Sequence, residues 1–176
     1  MSNVMRRLPP VDLELATVNS RPIIENLLQL YIHDLSQFRF SRPDERGRFN
    51  HDDRYAIFFN DPDRCAYLFR DEFGPVGFGL ARGLDEDRRL MAGFFIVHGV
   101  RRHGVGRAAA LEMLRRHPGA WEIPFQEENS GAARFWRALA DLAVGRAWTE
   151  DRRPVPTKPH IPDDVWITLN STTMSS

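Results

Sequence analysis

The sequence predicts one α/β domain, a mixed sheet with helices on both faces. Three observations lead there. Apolar runs of strand length alternate with helical stripes along the whole chain, without an internal repeat. One run, Leu90 to Val97, is almost wholly apolar, as a strand covered on both faces must be. The chain has 176 residues, one domain's worth, and a chain of this size buries about two-thirds of its unfolded surface. A single domain over residues 1–176 is expected.

Each element has its own justification. Val11 to Thr17 alternates apolar and polar residues as a strand does. Ser20 and Pro22 open a helix whose Ile24, Leu27, Leu28, Tyr31 and Leu35 fall on one face, which makes that face core. Residues 36–63 are polar and interrupted by Pro43, Gly47 and Pro62, so they read as loops around a short helix at Tyr55 to Phe59. Cys65 to Arg70 and Val76 to Arg82 flank the turn Phe73-Gly74-Pro75 as a hairpin. Arg88 to Val97 is the central strand. The helix after Gly104 carries Ala108 to Ala110, small enough to let it approach a sheet closely. Ala120 to Phe125 is a strand, followed by a helix with Ala132, Phe135, Trp136 and Leu139 on one stripe. Ala143 to Thr149 and Val165 to Leu169 read as the last two strands, joined by the extended proline-rich segment from Pro154 to Pro159.

Composition excludes several classes of function. Acidic and basic residues balance at 24 each and the pI is near 7.0, so no global field draws in nucleic acid or an anionic membrane. No run of 18 apolar residues exists to span a bilayer, and Met1 to Leu15 lacks the apolar stretch of a signal peptide. The single Cys65 has no disulfide partner within the chain, and a reducing cytoplasm is the expected compartment. His98, His103 and His117 lack ligand spacing and carboxylate or thiolate companions, so no metal is expected.

Chemistry concentrates in the run from Phe94 to Ala109. It reads as an apolar strand, a short basic loop with two glycines, and the start of a helix. Such a loop aims several backbone N–H groups at one point, at the positive end of a helix dipole, beside arginines. That is a receptor for phosphate or pyrophosphate. A Walker-type loop is excluded, because it needs a lysine and the only one is Lys158. A dinucleotide fingerprint is a rival: Gly104 to Ala109 fits GxGxxA, with Glu122 downstream to grip a ribose. Against it, the six residues His98 to His103 separate the strand from the first glycine.

The spacing RxxGxG in Arg101-Arg102-His103-Gly104-Val105-Gly106, followed by Asn129-Ser130-Gly131-Ala132-Ala133-Arg134-Phe135-Trp136 after the next strand, resembles the two motifs of the GNAT superfamily of acyl-CoA-dependent N-acyltransferases. The likeness is specific over residues 88–140 and closest to bacterial predicted acetyltransferases. It implies an acyl-CoA N-acyltransferase fold with a mostly antiparallel sheet of about six to seven strands. It implies acetyl-CoA as co-substrate and a small amine-bearing acceptor as partner. By the same resemblance, the backbone of Phe94, Phe95 and Ile96 holds the thioester and pantetheine arm, with the Phe94 N–H facing the developing oxyanion. The loop of Arg101, Arg102, His103, Gly104, Val105, Gly106, Arg107 and Ala108 holds the pyrophosphate. Asn129 bonds the arm from the other side, or caps the following helix, or does both.

The family's usual proton-transfer pair is not visible. Trp136 stands where many members place a tyrosine acid, and the central strand offers Leu90, Ala92 and Gly93 where some place a glutamate base. His33, Asp34, Glu122 and Glu127 are the candidates to replace them. A non-catalytic acyl-CoA-binding module is the alternative. Acidic residues at Asp44, Glu45, Asp52, Asp53, Asp61 and Asp63 would suit a cationic acceptor, although a solvated loop is the default reading of such charges. Tyr55, Phe58 and Phe59 could line an acceptor pocket, but at helical spacing they read first as core. A homodimer formed by pairing of the last strand is a further expectation.

Overall fold

Buried residues alternate along Ala120–Phe125 and Asp164–Asn170 and run unbroken through the middle of Arg64–Asp71 and Gly74–Arg82, so the first two strands have one well-covered face and the second two have both. The structure is a computed structural model describing residues 10–49, 55–156 and 158–174. Its elements are β1 (Asp12–Leu15), α1 (Arg21–Arg39), a 3-10 turn (Ala56–Phe59), β2 (Arg64–Asp71), β3 (Gly74–Arg82) and β4 (Arg88–Ile96). Then follow α2 (Val105–Arg116), β5 (Ala120–Phe125), α3 (Ser130–Val144), β6 (Trp148–Arg153) and β7 (Asp164–Asn170). The strands form a seven-stranded sheet in the order β1-β2-β3-β4-β5-β7-β6. Every neighbouring pair is antiparallel except β4 with β5.

Along β2, Cys65, Tyr67 and Phe69 join one buried cluster, while Ala66 and Leu68 join another. The first cluster lies beneath α2 and α3, where Ala109, Ala110, Met113, Trp136, Leu139 and Ala140 meet Trp121, Ile123, Val165 and Ile167. The second lies beneath α1, where Ile24, Leu27 and Leu28 meet Phe78, Leu80 and Phe95. Helices therefore cover both faces, as expected. The small residues of α2 do bring it close to the sheet, and β3 contributes too: a Cβ on Gly79 would overlap the Met113 sulfur and the Phe69 ring. Burying a large aliphatic or aromatic side chain contributes about 1.5–3 kcal/mol, so these two clusters dominate the stability of the domain. Phe58 is part of the α1-side cluster and Tyr55 and Phe59 pack against it, which makes that aromatic group core.

Three expectations need correction. α1 does not end near Leu35 but continues to Arg39. There the Arg39 guanidinium donates to Asp164 Oδ1 at 2.8 Å and to the Pro162 carbonyl at 2.8 Å. The stretch read as a strand from Ala143 to Thr149 is the end of α3, the cap Gly145 with φ +62, and the first residues of β6. β6 itself is the edge strand Trp148–Arg153, with an exposed Thr-Glu-Asp-Arg run that shows no apolar alternation. Charges on an edge strand guard against unwanted pairing. The last strand, β7, pairs with β5 on one side and β6 on the other. It therefore has no free edge in this sheet.

Candidate active site

The parallel pair at the middle of the sheet is short. β4 and β5 are in register at Arg88 with Ala120, Arg89 with Trp121 and Leu90 with Glu122. Beyond Leu90 the pairing stops and the strands diverge into a fork. One residue further, β4 bulges: Leu80 of β3 faces Gly93 while Ala81 faces Met91, which leaves Ala92 extra. A bulge bends its strand and raises its twist, which turns the far half of β4 away from β5.

Which amides face the fork follows from one hydrogen bond. The Val97 N–H donates to the Val76 carbonyl of β3 at 2.9 Å. Backbone groups alternate sides along a strand, so Phe95 also faces β3, while Phe94 and Ile96 turn their N–H and C=O groups to the fork. The Ile96 carbonyl accepts from Arg101 Nε at 2.6 Å. The β4–β5 register ends at Leu90, so the Ile96 N–H and both backbone groups of Phe94 face no ladder partner among the described residues. The Phe94 side chain is packed against Phe69, Phe135 and Trp136, with ring centroids 5.3, 5.8 and 5.2 Å away. That packing fixes the orientation of its peptide unit.

The open end of the fork holds two helix N-termini, because α2 follows β4 and α3 follows β5. A 3-10 turn (His98–Val100) leads into a loop in which Arg102 has φ +68 and Gly104 has φ +88. Gly104 is the cap residue of α2 and has no side chain with which to cap it. The Arg101 N–H is spent on the His98 carbonyl and the Ala108 N–H on the Gly104 carbonyl. The amides of Arg102, His103, Gly104, Val105, Gly106 and Arg107 donate to no group among the described residues. A helix leaves its first N–H groups unsatisfied, and two left-handed residues just before it bend further amides toward the same side. Arg102, His103 and Arg107 are exposed beside them. This is a cradle for an anion.

The side chains depart from expectation in one respect. The Arg101 guanidinium is bound inward: Nη2 donates to Asp34 Oδ2, Nη1 lies 2.9 Å from His98 Nε2, and the group sits 5.5 Å from the centre of the Phe95 ring. Arg101 thus ties the loop to α1 and to β4, leaving Arg102 and Arg107 as the outward cations of the segment. Asn129 caps α3, its Oδ1 accepting from the Ala132 N–H at 3.1 Å; its side-chain amide hydrogens remain available. Gln126, one residue beyond β5, went unnoticed in the sequence. Its Oε1 is buried with no hydrogen-bond partner among the described residues, an acceptor at the β5 side of the mouth.

The candidates for proton transfer divide clearly. Glu127 is chelated by Arg137 at 2.9 and 2.8 Å and reached by Arg152 at 3.0 Å. Arg137 above all holds its carboxyl below the usual range, so it is an ion-pair partner and not a base. Asp34 is bound to Arg101 and lies 3.1 Å from His98. His33 is exposed against Phe49. Glu122 lies at the apex of the fork, where its Oε1 accepts from Arg88 and from Arg153 at 3.0 Å each. Trp136 is buried beside Phe94 and Phe135.

The acidic loop residues do not converge. Asp44 Oδ1 accepts from the amides of Arg46 and Arg48. Asp61 accepts from Asp63 N and Arg64 Nε, and Asp63 from Gly83 N and Asp85 N. These carboxylates build turns; Glu45 is exposed, and Asp52 and Asp53 lie outside the described residues. His117 lies at the end of α2, away from the mouth of the fork, where its carbonyl accepts from Trp121 Nε1 at 2.9 Å and its Nε2 is 3.0 Å from the Tyr67 hydroxyl and 3.6 Å from Cys65 Sγ. Burial lowers its proton affinity and pushes the Cys65 thiol up to about 11. Among the described residues no group of histidine, cysteine and carboxylate ligands stands ready for a metal, and no helix is long and apolar enough to cross a membrane.

Solved structures share this architecture. An acetyltransferase from Thermus thermophilus superposes with a TM-score of 0.64 at 17% identity, covering 93% of this chain and 98% of that one. A ribosomal-protein-alanine N-acetyltransferase from Escherichia coli gives 0.60 at 12% identity, with 95% and 97% covered. A spermidine N-acetyltransferase variant from Vibrio cholerae gives 0.63 at 10% identity, with 92% and 95% covered. At these identities the likeness speaks for the fold alone. No curated protein matches the chain. The family model described as acetyltransferase (GNAT) matches residues 27–140, a span that takes in most of α1, the bulged strand, the anion cradle and most of α3, and the chain belongs to that family.

Proposed function

We propose that this protein transfers an acetyl group from acetyl-CoA to a primary amine by direct attack. The observation that carries the reading is the fork. Where β4 parts from β5, a strand edge with the free Phe94 and Ile96 amides leads to a mouth lined by uncommitted N–H groups of the α2 cradle. A pyrophosphate fits the cradle, whose donors are the amides from Arg102 to Arg107 with the Arg102 and Arg107 side chains beside them. A pantetheine arm suits the edge of β4, with the Asn129 amide opposite. The thioester then lies by Phe94, whose N–H stabilises the oxyanion formed on attack, a contribution of about 3–4 kcal/mol where such donors have been deleted. Holding amine and thioester together supplies about 7–11 kcal/mol more.

Trp136 favours a second reading. Its indole donates a hydrogen bond but does not serve as a proton-transfer acid at neutral pH, which is what a non-catalytic acyl-CoA-binding module would tolerate. Native mass spectrometry of protein purified without added ligand tests both readings, since each expects a retained mass of CoA size or uptake of added acetyl-CoA. Thiol release from acetyl-CoA with an amine panel then separates them. The panel includes spermidine and a peptide beginning with alanine, the acceptor types named for two proteins of this fold. Failure to bind acetyl-CoA overturns both; binding without turnover leaves the module.

A further inference from the structure

α1 covers β2, β3 and β4 on its face of the sheet, and the opposite face is covered by α2 and α3. The β5–β7 part of the α1 face is therefore uncovered. A cavity of about 840 Å³ lies there, lined by Leu90, Glu122 and Trp166 from the strands, by the β3–β4 turn, by Arg153 at the end of β6, and by Pro154 and Pro156 after it. Leu90 and Glu122 are the last pair before the strands part. The cavity thus reaches the apex of the fork, while the anion cradle sits at its mouth. An arm anchored at the mouth and running along β4 brings its thioester toward that apex.

On acetyl transfer as read above, we infer that the acceptor amine enters through this cavity and that Glu122 takes its proton. The carboxylate is held for that task. Side-chain exposure is 17%. Oε1 accepts from Arg88 of β4 and Arg153 of β6 at 3.0 Å each, and Arg153 is fixed in turn by Asp151 and by stacking 4.5 Å from the centre of the Trp166 ring. Oε2 has no partner among the described residues. The other charged groups lining the cavity are Arg82, Asp85, Glu86 and Asp87, all from the β3–β4 turn and the residue before it. Glu122 is the one carboxylate of the cavity lining that lies on a strand of the fork.

In the transfer step an ammonium gives one proton to Glu122, directly or through a water. The freed nitrogen lone pair forms the C–N bond to the thioester carbon, and the carbonyl pair moves to oxygen, facing the Phe94 N–H. When that pair returns, the C–S bond breaks; the thiolate takes the second proton from nitrogen, and Glu122 releases its proton to solvent.

The experiment is a kcat and kcat/KM profile against pH for wild type, Glu122→Gln and Glu122→Asp, with acetyl-CoA and the spermidine and peptide panel. Calorimetric acetyl-CoA affinity and Tm are measured on the same samples. Expected for Glu122→Gln is a kcat lower by about 100-fold or more, acetyl-CoA affinity within twofold, and replacement of the wild-type acid-side limb by that of the amine itself, so that the rate keeps climbing with pH as free amine accumulates. Glu122→Asp keeps the limb at reduced kcat, which a purely structural ion pair would not produce. Turnover by Glu122→Gln at the wild-type rate, or with the wild-type acid limb, overturns the inference and leaves acetyl transfer standing. Wild-type protein that turns over no member of the panel overturns acetyl transfer and this inference together.

Discussion

The two helices that start at the mouth of the fork begin in opposite ways. α3 opens with Asn129, whose side chain closes on the Ala132 amide. α2 opens with Gly104 at φ +88, which has no side chain, behind Arg102 at φ +68. The same orphan N–H groups exist at both ends; in α3 a side chain caps one of them, and in α2 no side chain caps any. A helix start stabilised at home is a structural device, and one left open beside two arginines is a receptor.

The largest effect should come from filling that receptor. A Cβ at Gly106 would meet Ile96 and Phe135 only at 3.4 and 3.5 Å, so Gly106→Ala folds; acetyl-CoA affinity is expected to fall at least about tenfold with little change in Tm, because the methyl holds phosphate off the backbone. Gly104→Val should lose affinity similarly and also cost about 1–3 kcal/mol, since a β-branched residue is forced to positive φ; calorimetry and thermal melting read the two effects separately. If both variants bind acetyl-CoA like wild type, the contrast between the helices has no functional meaning.

Asp34→Ala comes next. It releases Arg101 from α1, so affinity should weaken by about threefold to tenfold, with a stability loss of roughly 1 kcal/mol or less because the pair is partly solvated. At the capped helix the order reverses. Asn129→Ala should cost about 1 kcal/mol and lower Tm by about 2–4 °C, while Asn129→Asp keeps the cap. A drop in acetyl-CoA affinity in both variants, including Asn129→Asp with its cap intact, would assign the side-chain amide to the pantetheine arm.

The smallest effect lies at the far end of α2. His117 has its proton affinity lowered below the ordinary 6.5, chiefly by burial. The unfolded chain therefore binds this proton more readily than the folded one, so stability is level above about pH 6.5 and declines as pH falls below it, until the folded group titrates too. Chemical denaturation of wild type and His117→Gln across pH 5–8 should show this slope in wild type and its reduction in the variant.

What the sequence discloses depends on whether a feature is local. β4 was legible because an unbroken apolar run has one burial solution, and the cradle because its glycines and arginines are neighbours in the chain. The last turn of α1 was not, since Arg39 is held by Asp164, 125 residues away, and its own segment, Ser36 to Arg39, carries little apolar signal. β6 was misplaced because an exposed edge strand needs no apolar alternation. Arg101 was assigned to phosphate by its motif, whereas its inward bonds depend on where α1 lies. Glu122 was visible as a candidate, but its place at the apex depends on the register between β4 and β5, and the cavity beside it is assembled from separate stretches of chain.

α1 also reaches across the divide. Asp34 is bonded to Arg101 on the β4 arm, and Arg39 to Asp164 beside the β5 arm, with Glu128 at 3.6 Å. Asp34 and Arg39 stand about 7.5 Å apart along the axis at 1.5 Å per residue. The helix is a tie-beam between two jaws, and it sets the aperture before any guest arrives. A slot of preset width selects by gauge as well as by contact, so loosening either anchor should admit bulkier thioesters before it weakens the grip on the natural one.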